Sequence, residues 1–241
     1  MKISTVVGVR PQLIRAAVSR AIEQHRRDVI EVVHTGQHYD ANMSDVFFDE
    51  LSIPRPTHNL GVGGGMHGKN TGRMLEGLEA LMPESPDWVL VYGDTDRTLA
   101  GALAAAKLNI PLAHVEAGLR SSNRHMPEEI NRVLTDHTAA VLFAPTELAR
   151  TNLRNVGIQE EKVHVVGDVM YDAALFLKKH ACKPSWFDAL EIARNEFVFC
   201  TAHRAENTDD SRRMHAIFDG LDDAALPVVL PLHPRTRNEL Q

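Results

Sequence analysis

The sequence predicts an α/β protein, a parallel-sheet domain followed by the start of a second α/β domain, and three observations carry this expectation. Short apolar runs such as Ile3–Val7, Val29–His34 and Trp88–Tyr92 alternate with longer stretches of helical character. Each of several runs stops abruptly at a glycine or an acid, as buried strands do where they reach a sheet edge. After a break at Lys183-Pro184-Ser185, the same alternation starts again at Glu196–Cys200. The expected boundaries are residues 1–170 for the first domain, 171–195 for an interdomain helix and linker, and 196–241 for the beginning of the second.

In order, Ile3–Val7 is a nearly continuous apolar strand that turns at Gly8-Val9-Arg10-Pro11-Gln12 into a helix expected over Pro11 to Gln24. Proline at the first helical position is a start signal, and the free N–H groups there favour an anion beside Arg10 and Arg15. A solvated βα turn is the alternative. Gly8 is the only glycine of this turn, where a dinucleotide site would need G-x-G-x-x-G, which counts against a nicotinamide-dependent enzyme. Val29–His34 is the second strand, and a short helix is expected from Met43 to Leu51. Ile53 to Asn59, with Pro54 and Pro56, reads as irregular. The glycine-rich stretch Asn59–Thr71 nearly spells a P-loop at Gly63–Lys69, but Asn70 replaces the required Ser/Thr and almost no strand precedes it. A mobile glycine loop leading into a helix over Thr71–Leu81 is the expectation.

The chain is organised around Asp87 to Arg132. Trp88–Tyr92 closes on Gly93-Asp94-Thr95, Pro111–Val115 closes on Glu116-Ala117-Gly118, and the Ala-rich stretch Thr98 to Leu108 between them is helical. Ligands bind outside the carboxyl ends of such parallel strands, so Asp94 and Glu116 should emerge side by side there. Pro127-Glu128-Glu129 opens the next helix and brings further acids, one of which compensates the helix N-terminus. Like charges raise one another's pKa, so such a gathering points to proton chemistry or a metal more than to packing. His114-Val115-Glu116 would place two ligating side chains on one strand face, but no further ligands stand near them in sequence. Val141–Ala144, a helix from Glu147 to Val156, Val163–Val166 and a helix over Tyr171–Lys179 complete the first domain, with six strands in one sheet. A helix over Asp209–Leu221 and a strand at Val228–Leu230 follow the break. Two strands cannot bury their own faces, so a chain truncated within its second domain is expected.

Among 241 residues, 44% hydrophobic and 24% charged content is that of a globular protein with ample material for a core. A net charge of −6 disfavours nucleic acid as a partner, and no apolar run is long enough for a membrane span. The start MKISTVVGVRP enters a strand without a signal-peptide pattern, and Cys182 and Cys200 form no redox or metal spacing. All of this fits a reducing cytoplasm.

Gly8-Val9-Arg10-Pro11-Gln12, the loop 59–72, Gly93-Asp94-Thr95, His114–Arg120, Pro127–Arg132 and His203-Arg204-Ala205-Glu206-Asn207 together resemble the non-hydrolysing bacterial UDP-N-acetylglucosamine 2-epimerase family. The resemblance runs the whole chain, including family members that act on 2,3-diacetamido uronic acid sugars for surface polysaccharides. It implies two Rossmann-like lobes in the GT-B-like arrangement, with the nucleotide sugar between them, the second lobe being incomplete here. It implies that Asp94, Glu116 and Glu128 carry catalysis, and that His203 assists departure of UDP. Arg10, Arg15, His203, Arg204, Glu206 and Asn207 would hold the UDP. It further implies a homodimer in the full-length form and no metal or nicotinamide cofactor. Arg15 stands where the family has lysine, and one residue is missing within Ala16-Ala17-Val18. Asp96 and Arg97 stand where the family carries small or amide residues.

The expected chemistry follows from the sugar. The C2 hydrogen of an N-acetylhexosamine is not acidic until UDP departs and leaves an oxocarbenium ion. A carboxylate can then take that proton to give a 2-acetamidoglucal, and re-addition on the other face gives the manno epimer. A GT-B glycosyltransferase, which needs an acceptor site and a single base, and an inactive fragment are the alternatives.

Overall fold

The computed structural model describes residues 1–8, 29–36, 55–82, 86–179, 181–193, 195–202, 205–232 and 236–237, with backbone alone at 29–30 and 205–206. The helices expected over 11–24 and 43–51 lie outside these residues. The chain divides into two compact units, Met1–His180 and Ala181–Gln241.

The first unit is built on a seven-stranded sheet in which every adjacent pair is parallel. Its strands are β1 (Lys2–Val7), β2 (Val29–His34), β3 (His58–Asn59), β4 (Trp88–Tyr92), β5 (Leu112–Val115), β6 (Val141–Ala144) and β7 (Val163–Val165). The spatial order is β3-β2-β1-β4-β5-β6-β7, so the chain winds outward one way from β1 to β3 and the other way from β4 to β7. The reversal between β1 and β4 is the switch point at which such sheets leave a crevice beyond the strand carboxyl ends. Register there is set by Ile3 opposite Trp88 and Thr5 opposite Leu90.

Strand β3 is the seventh strand, in a stretch read from sequence as irregular. Its two residues are secured by backbone bonds, Thr57 N–H to Val32 O and Leu60 N–H to His34 O. Prolines at 54 and 56 hid it, and the place is an edge, where a strand beside proline is tolerated.

Both sheet faces are covered, so successive strand residues feed two cores. Val89 and Val91 pack on one face with Val6, Val33, Leu112 and Leu142; Leu90 and Tyr92 pack on the other with Ile3, Val7, Val32 and Val115. The first core is closed by α1 (His67–Leu81), α2 (Asp96–Lys107) and α4 (Glu147–Asn155). Helix α2 buries Ala100, Ala102, Ala104 and Ala105, short side chains that let it lie close on the strands. It starts two residues before the expected Thr98, because Thr95 caps it through a reciprocal bond with Thr98. Helix α1 starts at His67, four residues earlier than expected, and Gly68 and Lys69 are part of it.

Helix α3 (Pro127–Thr138) departs from the usual amphipathic pattern. Its buried residues are Glu129, Asn131, Thr135 and Asp136, all polar, while Ile130 and Leu134 are exposed. Helix α5 (Val169–Lys178) begins at an Asp168 cap and ends the first unit's elements. The second unit holds the parallel pair β8 (Val198–Phe199) and β9 (Val228–Val229), a one-turn helix α6 (Ala205–Thr208) and α7 (Ser211–Asp222). A 3₁₀ segment over Ser185–Leu190 occupies part of the stretch expected as linker. Among the described residues, no helix is long and apolar enough to cross a membrane.

Candidate active site

The acids singled out from sequence stand at the carboxyl edge of the sheet. Tyr92 and Val115 are register partners at the ends of β4 and β5, and Gly93 N–H bonds to Val115 O. Asp94 therefore lies two residues past its strand and Glu116 one residue past its neighbour. Glu116 adopts φ 71°, the left-handed region that a residue with a Cβ enters at a cost of about 1–3 kcal/mol. In that conformation the N–H groups of Glu116 and Ala117 both point at Phe143 O, each at 3.1 Å, and the chain is turned sharply off β5. Two residues on, Gly118 has φ 81°, and a Cβ there would run into the Ala149 carbonyl of α4, so this turn requires glycine.

Helix α3 is drawn against the β4–α2 turn by its polar face. The Arg132 guanidinium pairs with the Asp94 carboxylate and lies 3.4 Å from Glu129. Asn131 Nδ2 donates to Asp94 O at 3.0 Å and to Asp96 Oδ1 at 3.1 Å. His67, at the start of α1, takes the other Asp96 oxygen at 2.8 Å. The end of the glycine-rich stretch is thus pinned beside the same turn, not left as a free loop. Three helix starts meet at this edge.

The two acids of the α3 first turn separate into different roles. Glu128 is exposed. Glu129 is 4% exposed and accepts from Ser121 N–H, Ser121 Oγ and Ser122 N–H, clamping the turn that leads into the helix. Burial alone would raise the Glu129 carboxyl; these three hydrogen bonds and the Arg132 charge outweigh it and hold the group below its ordinary value. A folded-state value below the unfolded one means stabilisation that is complete above the ordinary Glu range and is lost as pH falls through the lowered value. Glu129→Gln is therefore expected to cost about 2 kcal/mol at neutral pH. The difference from wild type should shrink as pH falls through that lowered value, which urea unfolding at neutral and at acid pH checks.

Behind the acids lies an ionic cluster in which His114 and Asp136 are fully buried and Arg120 partly so. His114 Nε2 donates to Gly93 O at 2.8 Å, and Nδ1 faces Asp136 Oδ1 at 2.8 Å. Asp136 Oδ2 accepts from Arg120 at 2.7 Å and from Gly118 N–H at 3.3 Å. The imidazole is held between a backbone carbonyl on one side and a carboxylate on the other. His114 and Asp136 are both 0% exposed, so His114 turns into the core and not toward a shared metal with Glu116. Among the described residues, no group of three or more ligating side chains could hold a metal ion. The cluster ties the turn before Asp94 to the turn after Glu116.

Arg10, Arg15, His203 and Arg204 lie outside the described residues. Glu206 belongs to α6 and Asn207, in the same helix, is half-buried. The residues that sequence reading gave no role are Arg132, Asn131, Asp136 and Arg120, while His114, weighed there as a metal ligand, is a core partner of Asp136. Part of the signal was present: Glu129, Arg132 and Asp136 fall at i, i+3 and i+7, one helix face.

Over residues 20–241 the sequence matches the family described as UDP-N-acetylglucosamine 2-epimerase. It is 51% identical to the UDP-2,3-diacetamido-2,3-dideoxy-D-glucuronate 2-epimerase of Pseudomonas aeruginosa, matching 100% of this chain and 69% of that protein. It is 45% identical to the UDP-N-acetylglucosamine 2-epimerase of Methanocaldococcus jannaschii, across 100% of this chain and 68% of the relative. The crystal structure of that enzyme in complex with UDP-GlcNAc and UDP superposes with a TM-score of 0.89, covering 100% of this chain and 68% of the other.

Proposed function

Because the chain belongs to the UDP-N-acetylglucosamine 2-epimerase family, a family of isomerases, we propose that it interconverts UDP-GlcNAc and UDP-ManNAc by elimination and re-addition of UDP. The single observation that carries the reading is the placement of Asp94 and Glu116 on adjacent strand ends, with the Glu128 turn of α3 tied to Asp94 through Arg132.

The division of labour follows from what each acid touches. Asp94 is ion-paired and anchored, which suits a fixed negative charge that stabilises the oxocarbenium ion as UDP leaves. Glu116, half-buried on a strained turn with one oxygen screened from solvent, suits proton transfer at C2. Glu128, exposed on the α3 first turn, is free to serve the opposite face of the sugar. Removing the C2 proton from one face and returning one to the other inverts that carbon, and UDP adds back at C1. Arg10, Arg15 and His203, with Arg204, Glu206 and Asn207, take the leaving diphosphate and uridine in this reading. The scheme uses neither metal nor nicotinamide. In this reading the protein works in the cytoplasm, alongside nucleotide-sugar pools, as a homodimer.

Identity of 51% to a relative named for a diacetamido glucuronate favours a second reading in which C3 carries an acetamido group and C6 a carboxylate. Both readings share the chemistry at C1 and C2. Incubation with UDP-GlcNAc and no acceptor, followed by proton NMR, is expected to show the manno anomeric signal. Turnover that appears only with an added acceptor would identify a glycosyltransferase and refute epimerisation.

A further inference from the structure

We infer that Arg97 is an anion-binding residue of the substrate site, its guanidinium taking an oxyanion of the nucleotide sugar where β1 and β4 part. The inference rests on the epimerase reading and names a contact that reading does not supply. Arg97 is the second residue of α2, three residues after Asp94, and is 7% exposed. Its Nε finds no hydrogen-bond partner among the described residues. The neighbouring carboxylate that could neutralise it, Asp96, already has one oxygen on His67 and the other on Asn131. Burial pushes the Arg97 guanidinium down to about 10, against the opposing effect of Asp96. A desolvated cation held without a bonded counter-charge is costly unless something binds to it.

The direction of the side chain says where that partner sits. A Cβ at Gly8 would collide with Cδ and Nε of Arg97 and with Thr35 Oγ1. The arginine therefore lies across the end of β1, with the end of β2 beside it, over a residue that must have no side chain. That is the carboxyl edge at the switch point. A planar guanidinium there suits a phosphate or carboxylate fork. The diphosphate and a carboxylate on the sugar share this chemistry, and the experiment separates them.

Arg97→Met and Arg97→Lys are compared with wild type for thermal stability, for thermal stabilisation by inorganic pyrophosphate, for UDP affinity by calorimetry, and for kcat/KM with UDP-GlcNAc and its C6 uronic acid. Without ligand, Arg97→Met should be no less stable than wild type, since it removes a desolvated charge that has no bonded partner among the described residues. If the partner is the diphosphate, pyrophosphate stabilisation disappears and UDP affinity and both kcat/KM values fall by roughly 10–100-fold. If it is a sugar carboxylate, UDP and UDP-GlcNAc are unaffected and only the uronate falls by that factor. Arg97→Lys should lose less than Arg97→Met in either case, and carries the comparison should the methionine variant not fold. Folded variants that match wild type in all these ligand measurements would overturn the inference. Wild type that binds pyrophosphate through Arg97 but never exchanges the C2 hydrogen would instead contradict the epimerase reading alone.

Discussion

Replacing Glu116 by glutamine is expected to lower turnover of UDP-GlcNAc by about 10²–10⁴-fold, the range for removing a positioned proton carrier. Stability should change by less than about 1 kcal/mol, because the amide keeps the shape of the side chain on a turn fixed by backbone bonds to Phe143 O. The strain at φ 71° is a property of the backbone and survives the substitution. Asp94→Asn should lose activity on the same scale and some stability too, since Arg132 is left with only the longer contact to Glu129. Glu128→Gln, at an exposed position, should leave the unfolding midpoint unmoved, so any loss of turnover reports chemistry alone. Kinetics by NMR alongside urea unfolding separates the three. A folded Glu116→Gln protein that keeps more than about a tenth of wild-type turnover would remove this residue from the mechanism.

The largest effect on stability is expected at Asp136. Asparagine there leaves the Arg120 guanidinium without its counter-charge and the buried His114 ring without its carboxylate partner, a loss of about 3–5 kcal/mol. Arg120→Met removes one cation but leaves Asp136 with His114 and the Gly118 N–H, so about 1–2 kcal/mol is expected. Both are read from urea midpoints. The surviving Asp136→Asn protein should also turn over more slowly, because the cluster holds Gly93 O, one residue before Asp94. A cost below about 1 kcal/mol would mean that the cluster does not bear the turns as described.

Strands β1, β2 and β4–β7 could be read from sequence because burial on both faces writes a strand as an unbroken apolar run. Strand β3 could not, since two residues beside Pro56 carry no periodicity and are held by neighbours' backbone groups. The start of α1 was obscured for a related reason: Gly68 and Gly72 lower helix propensity, and its Met66 cap makes no side-chain bond that Ser, Thr or Asp would advertise. The acids Asp94 and Glu116 were legible because they end apolar runs at a sheet edge. Their support was not. Asp136 and Arg132 look like ordinary polar residues of a helix, and only the fold shows that the polar face of α3 is the buried one. Arg97 was visible as a departure from the family resemblance, yet its burial over Gly8 depends on how closely α2 approaches β1.

The claim that UDP leaves before C2 is deprotonated is tested most directly by isotope. UDP-GlcNAc carrying oxygen-18 in the bridge between C1 and the β-phosphate is incubated with the protein in deuterated water. The account predicts deuterium at C2 of recovered substrate and product, together with migration of the label from the bridge to a non-bridging phosphate position. Epimer formed with its original C2 hydrogen retained, or deuterium at C2 with the bridge label unmoved, would contradict it.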